Sequence, residues 1–262
     1  MTELSSNDAT NFAIEGRVAI VTGGGQGIGR EYAKALAAKG AISIIAEMKP
    51  ENARNVAAEI TAKGGKARAI QCDVADVASV NAMVGQVTSE FGRIDILINN
   101  AAIFSSLTMK PFDQIPLDEW DRVMAVNVNG TFYCSRAVLP SMKKAGWGRI
   151  INVSSSSVAL GLKNYLHYVA SKAAVEGMTS SMAREVGEFA ITVNALVPGG
   201  TETEIPRVTL TPELKAKLIA SQCIQRLQTP ADLLGPMLFL VSPAGSFVTG
   251  QCIAVNGGLT HR

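Results

Sequence analysis

A chain of 262 residues that is 47% hydrophobic, 18% charged and only 5% aromatic, with 24 glycines, has the composition of a globular protein with a large aliphatic core and many tight turns. A net charge of +2 without any basic block gives no footprint for nucleic acid, and no apolar run is long enough to span a bilayer. The four cysteines form no CxxC pair and the two histidines have no carboxylate cluster beside them, so no metal site is expected, and Cys72, Cys134 and Cys252 read as core thiols of a reducing, cytoplasmic compartment.

Residues 1–13 carry neither a basic n-region nor an apolar h-region and read as a frayed tail rather than a signal peptide. Residues 17–21 are a continuous apolar run, as expected of a strand buried on both faces of a parallel sheet. The run enters Thr22-Gly-Gly-Gly-Gln-Gly-Ile-Gly29, after which Tyr32, Leu36 and Lys39 carry a helical period. A second apolar run, residues 42–46, ends in Glu47. Strand, glycine turn, helix, strand and acid make the first half of a dinucleotide-binding fold. Gly23, Gly27 and Gly29, with Gln26 and Ile28 between them, allow a tight bend and the approach of a pyrophosphate to the helix N-terminus. Glu47, 18 residues beyond Gly29, stands where a carboxylate accepts hydrogen bonds from an adenosine ribose diol. It would repel a 2′-phosphate carrying about −1.5 to −2 charges. Gln26 occupies the turn where a phosphate-reading cation would otherwise sit, so NAD is favoured over NADP, with Lys49 as the feature that leaves NADP open.

Alternation continues to the C-terminus. Helices are expected at residues 50–63, 78–91, 117–145 and 229–240 and around Tyr168, with residues 173–178 as a helix-forming run, and strands at 66–71, 94–98, 149–153, 191–197 and 253–255. With no repeat and no linker, residues 14–262 read as a single doubly wound α/β domain with a parallel sheet. Ligands in such sheets bind beyond the carboxyl ends of the strands. Glu47, Asp73 with Val74, Asn100 with Ala101, Ser155 and Pro198 each follow an apolar run. For Asp73 two readings stand side by side, an acceptor for an adenine amino group and a turn residue.

Tyr168 and Lys172 are four residues apart in a helical segment and therefore share a face. A phenol titrates near ~10, and bringing it to ~7 needs roughly 4 kcal/mol of differential stabilisation at about 1.36 kcal/mol per unit. A neighbouring ammonium and a hydroxyl donor would work in that direction, so the pair reads as an acid/base centre whose phenol is made easy to ionise.

In order and spacing, Thr22-Gly-x-x-x-Gly-x-Gly29, Asn99-Asn100-Ala101, Asn127, Ser155 thirteen residues before Tyr168, Tyr168-x-x-x-Lys172 and Pro198-Gly199 resemble the short-chain dehydrogenase/reductase family over essentially the whole chain. The resemblance implies that Tyr168 exchanges a proton with the substrate oxygen and that Lys172 holds the nicotinamide ribose and lowers the Tyr168 pKa. It implies that Ser155 donates to the substrate carbonyl and that Asn127 positions a water of a proton relay. Asn100 and Ala101 would line the cofactor, and Pro198, Gly199, Thr201 and Thr203 its nicotinamide side. A homotetramer is implied as well. Among residues 154–157, four consecutive serines, the choice of Ser155 rests on spacing.

Residues 203–222 carry Ile205, Val208, Leu210, Leu214, Leu218 and Ile219 and are expected to form a substrate lid. Ile103, Phe104, Leu160, Leu162 and Tyr165 are expected around the same pocket. Arg207 and Lys163 are the only cations near it, so an apolar alicyclic or aromatic secondary alcohol or ketone is favoured over a strongly anionic substrate. A 3-oxoacyl thioester reductase is the enzymatic alternative, and a non-catalytic nucleotide-binding scaffold the alternative of another class.

Overall fold

The computed structural model describes residues 11–207 and 209–261, so residues 1–10 of the expected tail and Val208 of the expected lid lie outside the described residues. Seven strands, β1 (Val18–Thr22), β2 (Ile42–Glu47), β3 (Lys66–Gln71), β4 (Ile96–Asn99), β5 (Gly148–Val153), β6 (Ile191–Pro198) and β7 (Cys252–Val255), form one parallel sheet of order β3-β2-β1-β4-β5-β6-β7. The helices are α1 (Gly27–Ala38), α2 (Pro50–Ala62), α3 (Val77–Phe91), α4 (Leu117–Met124), α5 (Gly130–Ala145), α6 (Ser157–Leu160), α7 (Leu166–Val186), α8 (Pro212–Ala220) and α9 (Ala231–Val241).

The pleat sends alternate strand residues to opposite faces, and both faces are covered. On one side Ala19, Val21, Ile45, Ile98 and Ile151 pack against Tyr32 and Leu36 of α1, Val56 of α2 and Met237 of α9. On the other, Val18, Ile20, Ile44, Leu97 and Ile150 pack against Met83 of α3, Val138 of α5 and Val186 of α7. This is the doubly wound architecture expected from the alternating runs. The helix punctuation is equally local. Pro50 opens α2, Asp76 caps α3 by accepting from the Ala78 N–H at 2.9 Å, and Gly92 (φ 72°) and Gly146 (φ 59°) end α3 and α5 in the left-handed region.

The expected helix over residues 117–145 is not continuous. Its α4 and α5 portions are joined by a π-helical segment, Ala125–Asn129, which places the Asn127 side chain in a fully buried position. Asn127 Oδ1 accepts from the Ile103 N–H at 2.8 Å, and Nδ2 donates to the Ile103 carbonyl at 3.3 Å and to Ser171 Oγ at 3.0 Å. Widening the turn by one residue lets an amide inside a helix grip the loop after β4, which is a tertiary reason that no periodicity carries.

Candidate active site

Between β1 and β4 the strand order reverses, and the loops at the carboxyl ends there diverge. A cleft of about 1170 Å³ opens along these loops. Gln26, Ile28, Glu47, Asp73 and Val74 line one end; Gly23, Asn100 and Ala101 line the cleft beside the first turn. Ser155, Tyr168 and Lys172, together with Pro198, Gly199, Thr201 and Thr203, line the remainder, as do Ile103, Leu160 and Leu162.

The glycine turn is built for close approach. Gly23 adopts φ +61°, and a Cβ there would come within 2.9 Å of the Ala101 backbone. A Cβ on Gly29 would collide with the Gly23 carbonyl and the Asn100 side-chain amide. The turn is fastened to β4 by Thr22 Oγ1, which accepts from the N–H groups of Asn100 at 3.0 Å and Ala101 at 3.1 Å. Asn100 Nδ2 donates in return to the carbonyls of Thr22 and Gly23, both at 3.1 Å. Gly27 and Gly29 thus lie within the turn and the start of α1 rather than on the cleft wall. Glu47 is buried, and its carboxylate accepts from Gly25 N–H at 3.3 Å and Lys49 N–H at 3.2 Å. Asp73 Oδ1 accepts from Ala75 N–H at 2.9 Å in a turn, and the residue lines the cleft.

An unforeseen carboxylate also reaches the turn. Glu204 Oε1 accepts from the Gly27 N–H at 2.9 Å and lies 3.9 Å from Arg30. It comes from the segment after β6, 177 residues away in sequence, and no local signal in the chain marks it. A glycine turn that a Cβ would block, an α1 N-terminus on the cleft and a buried acid at the end of β2 fit an adenine dinucleotide, provided that Glu204 yields the Gly27 N–H to the pyrophosphate.

The first turn of α7 is fixed by burial and polar ties. His167 is fully buried and its Nε2 lies 3.2 Å from Glu119 Oε1, whose other oxygen accepts from Lys110 Nζ at 2.8 Å, holding α4 against α7. Tyr168 and Lys172 face the same cleft, as the spacing requires. Lys172 Nζ donates to the Val153 carbonyl at 2.6 Å. Of the four serines, Ser155 is the one whose hydroxyl acts on the Tyr168 phenol, lowering its pKa against burial, while Ser154 Oγ donates to the Lys172 carbonyl at 3.3 Å and to Glu176 at 2.9 Å. Tyr165 stands behind Phe104, 5.8 Å between ring centroids, and donates from its hydroxyl to Thr209 Oγ1 at 2.9 Å, so it ties α7 to the lid segment rather than lining the cleft.

One expectation is corrected. Burial pushes the Tyr168 phenol up to about 12, and the groups that work against this are Ser155 and Arg207, not Lys172. The ammonium lies 5.8 Å from the Tyr168 ring centroid, is spent on the Val153 carbonyl, and is itself lowered to about 8 by burial. An ammonium bound to a carbonyl and set off from the phenol is a weak source of field there, and desolvation wins.

Among the described residues no three His, Cys, Asp or Glu side chains gather as a metal ion would require, and no helix is long and apolar enough to cross a membrane. A buried phenol with a serine hydroxyl acting on it, beside a dinucleotide-shaped cleft, defines an oxidoreductase site. The comparisons agree. A family model described as enoyl-(acyl carrier protein) reductase matches residues 23–260. The chain is 36% identical to the 7alpha-hydroxysteroid dehydrogenase of Escherichia coli K12 over 251 residues, covering 96% of this chain and 97% of that one. It is 40% identical to the 3-oxoacyl-[acyl-carrier-protein] reductase FabG of Staphylococcus aureus over 243 residues, covering 92% and 97%. The crystal structure of a gluconate 5-dehydrogenase from Burkholderia cenocepacia J2315, in complex with NADP and tartrate, superposes with a TM-score of 0.90 at 34% identity over 96% of this chain and 98% of that one. The chain belongs to the short-chain dehydrogenase/reductase family, a family of oxidoreductases that use nicotinamide cofactors.

Proposed function

We propose that this protein transfers a hydride between NAD(H) and a secondary alcohol or ketone on an apolar, alicyclic or aromatic, skeleton. The observation that carries the reading is the convergence of Ser155, Tyr168 and Lys172 on one wall of a cleft whose opposite end holds Glu47. The bound nicotinamide would supply the hydride. Tyr168, a phenol kept protonated by burial, gives its proton to the carbonyl oxygen in reduction and takes one back in oxidation. Ser155 donates to the same oxygen as charge develops there. Lys172 anchors the ribose hydroxyls from its seat on the Val153 carbonyl, and Asn127 holds the Ile103 loop and Ser171 in register beside it. The likeness to the hydroxysteroid dehydrogenase supports an alicyclic skeleton. The likeness to the 3-oxoacyl reductase supports a second reading, reduction of a 3-oxoacyl thioester.

Cofactor choice rests on Glu47, whose buried carboxylate would face a ribose diol and oppose a 2′-phosphate. The Burkholderia structure holds NADP, so the two dinucleotides are the comparison to make. The apolar Phe132 of α5 and Leu166 of α7, each 45% exposed, support a homotetramer built on those helices, which sedimentation velocity checks. The functional reading is tested by nicotinamide absorbance with a panel of alicyclic and aromatic ketones and alcohols and a 3-oxoacyl thioester. Wild type is expected to turn over the cyclic ketones with a higher kcat/KM for NADH than for NADPH, and Tyr168→Phe to lose at least about a hundredfold. Undiminished turnover by Tyr168→Phe would remove the assignment, and a preference for NADPH would remove the role given to Glu47.

A further inference from the structure

Arg207 plays no part in the proton and hydride chemistry above, yet it lies on the cleft wall beside the reacting phenol. Its guanidinium carbon stands 4.6 Å from the Phe104 ring centroid, and Phe104 is itself stacked on Tyr168 at 4.3 Å with an interplanar angle of 27°. The cation and Tyr168 thus share one aromatic neighbour. It is half-buried, and among the described residues no carboxylate lies within 4.0 Å of it and no acceptor takes a hydrogen bond from its side chain. The other arginines withdrawn from solvent are all engaged: Arg17 with Asp95 at 3.0 Å, Arg30 with Glu59 at 2.7 Å, and Arg149 with the carbonyls of Gly148 at 2.8 Å and Ala190 at 3.2 Å.

A guanidinium taken out of water without a counter-charge is unfavourable, and burial lowers the Arg207 pKa accordingly. Stacking on Phe104 holds the plane of the fork by one face while its N–H donors stay open at the edge. That is the arrangement that accepts a carboxylate edge-on and bidentate. Leu210, Leu214 and Leu218 line the same part of the cleft and offer hydrocarbon on the way.

The geometry points to Arg207 as the anion-recognising residue of the substrate site: the substrate is an oxo or hydroxy acid, its carbonyl or carbinol carbon at Tyr168 and its carboxylate, across an apolar span, at Arg207. This rests on the hydride-transfer reading of the same cleft, and it revises the sequence-based preference for an uncharged substrate.

The test uses the full chain with NADH, and as probes 4-oxocyclohexanecarboxylate, 4-oxocyclohexaneacetate and 3-(4-oxocyclohexyl)propanoate, each with its methyl ester. Calorimetry reads binding and nicotinamide absorbance reads turnover. Wild type is expected to bind at least one acid about ten- to a hundredfold more tightly than its ester, the range of a charge-assisted hydrogen-bond pair. Arg207→Met is expected to bring that ratio close to one, and Arg207→Lys to restore part of it. Equal binding of every acid and its ester by wild type would overturn the proposal, as would an Arg207→Met ratio unchanged from wild type or a loss in that variant confined to NADH. Acid-selective binding that depends on Arg207, without turnover of any probe, supports the anion site and counts against hydride transfer to these ketones. Turnover without acid selectivity does the reverse.

Discussion

Lys172 is 3% exposed and held at about 8 against an ordinary value of 10.5, with burial as the cause. The unfolded chain keeps this proton up to 10.5 and the folded chain only to about 8. Between those values the unfolded state binds more protons, so folding becomes more favourable as pH rises. Below pH 8 the buried ammonium therefore costs the fold a constant amount, of the order of 3 kcal/mol at about 1.36 kcal/mol per unit. Lys172→Met removes that cost but leaves the Val153 carbonyl without its donor. The variant is expected to be inactive, yet to resist urea at pH 7 at least as well as wild type, with its advantage shrinking at pH 10. Marked destabilisation at pH 7 would show that the bond to Val153 outweighs the desolvation. The neighbouring phenol has its own signature. Because Tyr168 is pushed up to about 12, it is a donor at neutral pH, so kcat/KM for alcohol oxidation should climb steadily from pH 7 to 10 while ketone reduction holds or falls. An oxidation profile already flat above pH 7 would place the phenol far lower.

At the scale of elements, Glu204 of the segment between β6 and α8 and an incoming pyrophosphate compete for the N-terminus of α1. The Gly27 N–H donates to the Glu204 carboxylate at 2.9 Å where a pyrophosphate would be favoured by the same helix end. Glu204→Gln weakens the competitor without changing its size. The dissociation constant for NADH, read by fluorescence titration, is expected to fall about two- to fivefold, in line with roughly 0.3–1 kcal/mol for a charge at a helix terminus. An unchanged constant would mean that the segment leaves before the dinucleotide arrives. The π-helical segment makes a second prediction. Asn127→Leu removes the three bonds to Ile103 and Ser171 and strands the Ile103 N–H and carbonyl. Removing buried partners costs about 1–3 kcal/mol for each group left unsatisfied, so a lower melting temperature and a fall in kcat are expected together.

Across the whole molecule, the cleft joins two halves of a sheet that diverge at the β1/β4 reversal, and a dinucleotide lying in it would bridge loops from β1, β2, β3, β4 and β6. A ligand held by both halves stabilises the folded chain by mass action, about 2.7 kcal/mol at a hundred times its dissociation constant. Saturating NADH is expected to raise the melting temperature by several degrees in scanning calorimetry, and more than adenosine monophosphate at equal concentration, because the mononucleotide reaches only one half and so binds more weakly. Equal shifts would confine binding to the Glu47 end.

How much of this was legible in the chain follows from the range of the interactions. The alternation of apolar runs and helical periods, the glycine turn with Glu47 behind it, and the four-residue step from Tyr168 to Lys172 are set by neighbours within a few residues, and all appear where the order of residues puts them. Which of four serines acts on the phenol, the break at Asn127, the reach of Glu204 to Gly27 and the seat of Arg207 on Phe104 join residues far apart in the chain. So does the protonation of Tyr168, which depends on the total of what surrounds it. Local geometry and side-chain period determined the fold and which side chains are candidates for the site. Only the packed structure decided their charge states and the shape of the substrate end, because desolvation and long-range contact exist only once the loops have closed over the sheet.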